Sequence, residues 1–349
     1  MRQKVEGFSK NPSAFKTNLY SGFSLVELMI AMALSLLLML GVYKVFDFQK
    51  QAFELISALN DREDNAQLAM KILSDGIRMA DHWGGLDSKD VQVFKGTLSA
   101  APGACDSAWV FNVSEGIYGL EGSTNAEYLN GLPSKCIKNK DYLENSDLIT
   151  LRFGNSREYF SESSIDNKRY QKYYFLRAQS GKSAALFQGK QLALAVQAIS
   201  SEGFHYNMLF HSSLYFLRPC QKNSMTCLEG DSVLTRLVLK GDRYIQEALV
   251  EGIEQMQFEY GVDENQDRSV DRYVLADKIS DWQKVLSVRI YLLVRSRLPD
   301  KTIDEKGKIY AMNSSESQAA NAYQVPDKLR YYPRKLYQAE VSIRNRLLN

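Results

Sequence analysis

The chain has 349 residues, with 43 basic and 41 acidic side chains and a net charge of +2. A charge this well balanced argues against a protein that holds nucleic acid through bulk positive charge. After the N-terminal helix described next, roughly 260 residues remain, which suits one large or two small globular units.

An apolar segment extends from Phe23 to Phe46 and contains two charged residues, Glu27 and Lys44. A membrane-spanning helix needs about 20 apolar residues, so this segment is long enough to cross a bilayer. Ahead of it lies a polar leader whose charged residues are mostly basic: Arg2, Lys4, Glu6, Lys10 and Lys16. Because basic residues stay on the cytoplasmic side, we expect the rest of the chain to lie on the opposite side.

The junction between the leader and the apolar segment lies at Gly22. In an ordinary secretory signal peptide the cleavage site follows the apolar core, whereas Gly22 precedes it. Cleavage there removes only the polar leader and leaves the hydrophobic helix on the mature protein. Glu27 places a carboxylate in lipid, where a charge is costly, so we expect it to have a function.

The segment Gly22-Phe23-Ser24-Leu25-Val26-Glu27-Leu28 resembles the class III signal of type IV pilins and their pseudopilin relatives. The resemblance implies that a prepilin peptidase cuts after Gly22 and methylates the new N-terminus at Phe23. It also implies that Glu27 pairs with the N-terminal amine of a neighbouring subunit during assembly, where each group relieves the cost of the other. The alternative is a plain single-pass anchor with an incidental carboxylate.

Apolar residues recur at intervals of three and four well beyond the membrane-length segment. The pattern predicts one helix from Phe23 to Ala80, whose amphipathic second half packs one face on a globular body. The predicted organisation is a leader at 1–22, a transmembrane and assembly helix at 23–46, its amphipathic continuation at 47–82 and a β-rich periplasmic body at 83–349.

Beyond Gly85 the sequence changes to short runs rich in Val, Ile, Leu, Phe and Tyr, which predict β-strands. The fold class predicted is α+β, a long pilin helix packed on a mainly antiparallel β body. The predicted strands are 148–153, 173–177, 204–217, 234–239, 245–250, 253–262, 285–294 and 336–343. The polar segments 161–169 and 300–325 are predicted to be surface loops.

Several short segments of the C-terminal half carry a second resemblance: Phe258–Asp263, Trp282, Val288–Ile290, Leu293–Ser296 and Val341–Arg346. In this order they resemble the PilW-type minor pilins, which are similar to the J-type pseudopilins of type II secretion. The resemblance implies as partners other minor pilins, the major pilin, the prepilin peptidase, an inner-membrane assembly platform and the lipid bilayer.

Four cysteines on the exported side of a membrane suggest two disulfides. Cys220 and Cys227 flank a polar turn and suit a local link, which leaves Cys105 and Cys136 to close a longer loop. Four cysteines allow three pairings, and the sequence does not choose among them. A zinc site is the alternative, but the spacing is not of the paired type that such sites use.

An acidic loop at 263–271 has oxygen-bearing side chains at alternate positions: Asp263, Asn265, Asp267, Ser269 and Asp271. A calcium ion takes six to eight such oxygens, and the EF-hand loop uses the same spacing. Arg268 stands where the EF-hand has glycine, and Val274 where it has a bidentate Glu. A modified calcium loop and a solvated acidic hairpin turn both remain open.

Catalytic patterns are few. His205 and His211 have no acid or cysteine near them in sequence and are expected to be packed or edge histidines, and the common hydrolase, nucleotide and metalloprotease motifs are absent. The stretch 328–335 mixes basic and aromatic residues, as single-stranded DNA binding requires. With the net charge near zero, a basic loop that faces solvent or a partner subunit is the preferred interpretation, and nucleic acid is not expected as a partner.

These observations predict a minor pilin precursor, not an enzyme, anchored once in a bacterial inner membrane with a periplasmic body. After processing it is expected to join a tip or initiation complex of a type IV pilus. The sequence leaves open whether adhesion, motility or DNA uptake is the downstream use. A J-type pseudopilin of type II secretion is the near alternative. A membrane-anchored periplasmic enzyme, with or without a dependence on calcium, is the alternative of a different class.

Overall fold

The computed structural model describes residues 22–94, 105–129, 131–133, 136–179, 181–220, 231–314 and 322–347. The chain divides into two compact units, the first ending at Glu54 and the second beginning at Leu55. The first unit contains the apolar segment, and the second contains the strands of the described residues.

The N-terminal helix, α1, begins at Leu25 and ends at Met79. No proline interrupts it, and it is rich in Leu, Ala and Met, which are strong helix formers. The side chains of its first part, up to Glu54, are nearly all exposed. The buried residues all lie in the second unit and are mostly small or aliphatic: Ala58, Ala66, Ala69, Leu73, Ser74 and Ile77. The prediction of one long helix is confirmed.

Shorter helices follow among the described residues: α2 Ser107–Val110, α3 Glu162–Ile165, α4 Leu192–Ala198 and α5 Arg344–Leu347. The strands, in chain order, are β1 Val91–Val93, β2 Ile117–Leu120, β3 Leu148–Phe160, β4 Tyr174–Gln179, β5 Ser183–Gln188, β6 His205–Pro219, β7 Ser232–Lys240, β8 Arg243–Glu251, β9 Ile253–Val262, β10 Arg272–Val274, β11 Val285–Arg295, β12 Ile309–Ala311, β13 Ala322–Gln324 and β14 Arg334–Ser342.

The largest sheet is organised around the long strand β6. Strand β3 pairs with one of its edges, while β4 and β7 pair with successive parts of the other edge. Strands β5 and β1 extend the sheet beyond β4, β8 extends it beyond β7, and β2 lies outside β3. All these pairs are antiparallel except β1 with β5.

A second sheet has the order β10-β9-β11-β14, and β12 pairs with β13 in a separate hairpin. Both are antiparallel. The predicted α+β class, with a long helix and a mainly antiparallel body, is therefore confirmed.

The amphipathic part of α1 packs into the body through small side chains. Its buried stripe belongs to one apolar cluster with Leu151 of β3 and Val288 of β11, so it contacts both larger sheets. At Gly76 a Cβ atom would lie 2.7 Å from Leu151 Cδ1, closer than such atoms approach. Small residues on this face therefore let the helix lie close to the sheets, where apolar burial contributes about 25 cal/mol per Å².

The two predicted surface loops are corrected in part. Segment 161–169 contains α3, because Ile165 is fully buried against Phe175 and Phe187. Segment 300–325 contains β12 and β13, and Met312 beside them packs on β11. In both segments one or two apolar side chains pack in the core, although the surrounding residues are polar and predict a surface loop.

His211 lies in β6, where its ring stacks on Phe153 with centroids 4.7 Å apart. A ring nitrogen lies 2.7 Å from the hydroxyl of Ser213. Burial, together with the cation of Arg236, lowers the pKa of His211 to about 4, and Glu247 acts weakly in the opposite sense. As the pH falls from 6.5 toward 4, the unfolded chain therefore takes up a proton at this site that the folded chain does not.

We expect acidification over this window to reduce the free energy of unfolding by about 3 kcal/mol through His211. Substitution His211→Gln should flatten the fall in melting temperature between about pH 6.5 and 4.5, measured by scanning fluorimetry. His82, whose pKa burial also lowers, should leave a residual slope. An equally steep fall in the variant would contradict this assignment.

Candidate functional site

The start of α1 is closed by a capping box. The backbone N–H of Ser24 donates to Glu27 Oε2 at 2.9 Å, and the N–H of Glu27 donates to Ser24 Oγ at 3.1 Å. Two of the N–H groups that every helix leaves unsatisfied at its start are thereby paired. Glu27 thus has a local role, and its negative charge lies at the positive end of the helix dipole.

The predicted processing site lies directly before this cap. Gly22 has no atom within 4 Å of where a side chain would begin, and Phe23 is 87% exposed. Residues 1–21 of the predicted leader lie outside the described part of the chain. Open backbone at the junction is what a peptidase needs to reach it.

The apolar part of α1 is long and apolar enough to cross a membrane, with a mean hydropathy of 2.5 over its best 18-residue window. None of that window is buried against protein. A polar side chain within it, Ser35, satisfies its hydroxyl by donating to the carbonyl of Met32. Large exposed side chains of this kind need either lipid or partner helices to cover them.

The other end of α1 is held by the C-terminal segment of the chain. Asn345 Nδ2 donates to the carbonyls of Met79, at 3.3 Å, and Ala80, at 2.9 Å. These carbonyls are among the four that a helix leaves unpaired at its end. Asn345 Oδ1 also lies 3.2 Å from His82 Nδ1, so one side chain ties the last turn to the residues that follow it.

The residue after this turn, Asp81, has a φ of +62°, a conformation in which helix ends usually place glycine. Its carboxylate accepts from Arg346 Nε at 2.6 Å and from Trp83 Nε1 at 2.8 Å, and all three side chains are buried. Arg346 further donates to the carbonyls of Trp282 and Val285. We call the contacts of Asn345 and Arg346 with 79–82 the C-terminal clamp.

Close backbone approach surrounds the clamp. A Cβ atom at Gly116 would lie 2.6 Å from the Cα of Asp81, so only glycine fits there. Arg152, whose carbonyl accepts from the N–H of Asp81, buries its guanidinium on the carbonyls of Glu115 and Trp109. Burial lowers the pKa of Arg152 to about 10, so it remains charged at neutral pH.

The acidic loop lies between β9 and β10 and is organised by its own side chains. Asp263 accepts from the N–H groups of Gln266 and Arg268, and Asp271 accepts from those of Glu264 and Asn265. Asn265 Nδ2 lies 3.1 Å from Asp267 Oδ2 and 3.3 Å from Asp271 Oδ1.

The proposed ligands Asp263, Asn265, Asp267 and Asp271 thus lie in one hydrogen-bonded loop, together with Ser269, whose N–H donates to Asp267. Among the described residues, no group of three or more Asp, Glu, His or Cys side chains is placed to share a metal ion. The amide of Asn265 and the backbone N–H groups already occupy several of these oxygens. Calcium binding stays a prediction.

Cys105 and Cys136 form a disulfide, with Cα atoms 4.4 Å apart. It closes a loop of about 30 residues that contains α2 and β2, and loop closure of this length contributes roughly 3.7 kcal/mol as an upper bound. For the second predicted pair, Cys227 lies outside the described residues.

The basic and aromatic stretch 328–335 forms the predicted loop before β14 and the start of that strand, but most of its side chains are half-buried. Arg334 is buried and forms ion pairs with Glu254 and Glu305. Lys335 pairs with Glu63 of α1, and Arg330 lies 3.8 Å from Asp304. These pairings leave little charge for a nucleic acid strand.

Two family models match the chain. Residues 18–43 match the prokaryotic N-terminal methylation motif, and residues 215–345 match the type IV pilus-assembly protein W family. The two matches support a minor pilin of the type IV pilin superfamily. The first match covers Gly22, Phe23 and Glu27, and the second ends at Asn345, the residue that caps α1.

Other comparisons add little to this pilin. No curated protein matches the chain. Among solved structures it is similar to a type IV-like pilin from Thermus thermophilus, at 10% identity and a TM-score of 0.34, over 81% of this chain and 95% of that one.

The clamp gives the first test on the pilin body. Arg346→Ala leaves the buried carboxylate of Asp81 without its cation, so we expect a loss of about 3–5 kcal/mol in the free energy of unfolding. Urea denaturation of the pilin in detergent, followed by tryptophan fluorescence, measures the loss.

Arg344→Ala is the matched control, because Arg344 is an exposed arginine two residues away. Its unfolding should change by no more than about 0.5 kcal/mol. Equal stability of the two variants would show that the clamp contributes nothing beyond ordinary surface charge.

Proposed function

We propose that the chain is inserted in the bacterial inner membrane as a pilin precursor, cut by a prepilin peptidase after Gly22 and then assembled with other pilins. The observation that carries the proposal is the junction itself. An accessible Gly22-Phe23 bond lies directly before a capped helix start, and an exposed apolar segment of membrane length follows it.

Glu27 is the residue we assign to assembly. A carboxylate in a lipid-facing helix costs on the order of 3 kcal/mol, and the capping hydrogen bond recovers only part of this. The cap uses Oε2, whereas Oε1 accepts no hydrogen bond among the described residues. That oxygen is available for the N-methylated amine of a neighbouring Phe23, a pairing that neutralises both groups as the helices come together.

The size of the body supports a place in a tip or initiation complex. The second compact unit comprises residues 55–349, a large mass to repeat along a thin fibre. Its partners in this proposal are the other minor pilins, the major pilin and the assembly platform of the inner membrane, and its body lies in the periplasm until assembly. We propose a structural subunit rather than an enzyme.

A strain that carries Gly22→Val tests the processing step. A branched side chain at the cut bond should block the peptidase, so intact mass analysis of native membranes should find a precursor that retains residues 1–22. The unsubstituted protein should begin at N-methylated Phe23. A wild-type chain that starts at Met1, or after the apolar segment, would overturn the proposal.

Two substitutions at the helix start separate capping from charge. Glu27→Gln keeps an oxygen that can accept from Ser24 but removes the negative charge, and Gln is a normal partner in a capping box. Ser24→Ala removes the other half of the cap at a cost of about 1 kcal/mol and keeps the charge. If charge pairing drives assembly, Glu27→Gln should abolish surface pili and Ser24→Ala should retain them.

Pili are measured by shearing and immunoblotting of the major pilin in a strain that lacks the native gene. N-terminal analysis of each variant shows that processing is unaffected, so an assembly defect is separable from a cleavage defect. Normal piliation with Glu27→Gln would remove the proposed role of the carboxylate.

A further inference from the structure

Two aromatic side chains of the body are left in solvent. Among the aromatic residues described after α1, Tyr159 and Phe204 are the ones that are mostly exposed, at 62% and 80%. Both contact the same ring, that of Tyr206, with centroid distances of 5.7 and 5.9 Å and edge-on geometry. Burying such rings normally stabilises a protein, so this exposed trio calls for a ligand to cover it.

A cleft lined by both aromatic and polar side chains adjoins the trio. It has a volume of about 550 Å³ and is lined by Tyr159 and Tyr206 on one side and by Glu162, Ser163, Ser201 and His205 on the other. The volume falls within the roughly 300–1,000 Å³ of small-molecule sites. The cleft lies outside the stretch 215–345 that matches the pilus-assembly family.

The polar wall is fixed from behind by a buried arginine. Arg177, fully buried, donates to Glu162 Oε1 at 2.9 Å, to Ser201 Oγ at 2.9 Å and to Asn207 Oδ1 at 3.1 Å. Ser201 in turn donates to Glu162 at 2.9 Å. The carboxylate, hydroxyl and amide are therefore held in one arrangement before any ligand arrives, which reduces the entropy lost on binding.

The charge of the cleft points to a neutral ligand. The negative charge of Glu162 is balanced by Arg177. Burial alone would raise the pKa of that carboxyl, but the hydrogen bond from Ser201 and the charge of Arg177 outweigh it and hold the pKa below its usual range. A cation or anion that entered would find little net charge to pair with. Hydroxyl groups, in contrast, can donate to the Glu162 carboxylate as charge-assisted hydrogen bonds and to the oxygens of the neighbouring serines.

His205 is not placed to make the cleft a hydrolase. Its Nδ1 lies 3.1 Å from the carbonyl of Gly203, and its Nε2 lies 3.5 Å from Glu162. A histidine that activates a serine needs one nitrogen on the serine and the other on the carboxylate. Here both nitrogens are taken by oxygens that are not nucleophiles, so the arrangement suits binding.

We propose that this cleft binds a neutral sugar unit, such as a terminal hexose of a glycan. The apolar C–H face of a pyranose ring stacks on Tyr159 and Tyr206, which line the cleft, and Phe204 packs on Tyr206 from outside it. The ring hydroxyls bond to Glu162 and the neighbouring serines. The inference goes beyond the assembly function proposed above and does not depend on it, because it rests only on the body.

Ligand-observed saturation-transfer NMR on the full chain tests it. The chain is held in a polyoxyethylene detergent, which has no sugar headgroup, and offered D-glucose, D-galactose, D-mannose and N-acetyl-D-glucosamine in turn. At least one should receive saturation, strongest at its C–H protons. Tyr159→Ala should weaken that binding about fivefold. Phe204→Ala should weaken it as well, because the Phe204 ring packs on Tyr206 of the cleft. Both positions are exposed, so neither change is expected to unfold the body.

Ile309→Ala is the control, since Ile309 is 63% exposed and lies on β12, away from the cleft. Its binding should equal that of the unsubstituted chain. Nα-acetyl-lysine N-methylamide, which keeps its side-chain ammonium group, is offered as the cationic ligand for comparison. The proposal is overturned if no hexose receives saturation, if the aromatic variants bind as well as the control, or if the amine alone binds in a way that depends on Tyr159.

Discussion

The buried pair of Asp81 and Arg346 joins the two ends of the body. These residues lie 265 positions apart in sequence, yet their side chains meet at 2.6 Å, with Asn345 capping the last carbonyls of α1 beside them. The helix end therefore cannot be completed until β14 has paired with β11 and brought the C-terminal segment into place. Contacts of such long sequence separation slow folding, so we expect the body to fold late and as one unit.

The long sequence separation explains why the clamp could not be predicted, although the sequence analysis singled out both the helix end and the C-terminal segment. The segment Val341–Arg346 attracted attention through a family resemblance, and the helix was expected to end near Ala80. Nothing in either pattern links an exposed-looking Asp81 to an arginine near the other end of the chain. The close approach of Gly116 to Asp81 does require a glycine. A single glycine in a region rich in turns, however, does not by itself predict such a contact.

Most of the strands that periodicity predicted carry core side chains, although β8 is largely exposed. Strand β11, with Val288, Ile290 and Leu292 on one face, is found at 285–295 against a predicted 285–294. Strands β1, β2, β10, β12 and β13 were not predicted, because each has only three or four residues. Strand β5 was missed although it is buried. Likewise, β3 continues past Phe153 through Gly and Asn residues, since the long edge of β6 offers partners for them. A strand that forms because a neighbouring strand offers hydrogen-bond partners has no distinctive local composition, so it is hard to predict from sequence.

The polar sites also divide into those built from residues close in sequence, which could be predicted, and those built from distant residues, which could not. The prepilin junction could be predicted because Gly22, Phe23 and Glu27 lie close together in sequence, and because a carboxylate in an apolar segment is unusual. The cleft beside Tyr159 is assembled from β3, α3, β4 and the start of β6, and its key contact, Glu162 with His205, spans 43 residues. His205 was expected to have no acidic partner, and the structure supplies one that no spacing rule would suggest.

The capping box changes how the cost of Glu27 in the membrane is understood. A carboxylate at the start of a helix accepts an N–H that lipid would otherwise leave unpaired, so removing it exposes a second unsatisfied group. The charge is thus partly offset within its own chain before any partner arrives. In the proposed assembly, the oxygen that remains for a neighbouring amine is Oε1, because the cap uses Oε2. In the proposed function, the cap lowers the cost of Glu27 enough for the single helix to remain in the bilayer. Pairing with a neighbouring amine lowers that cost further and so favours assembly.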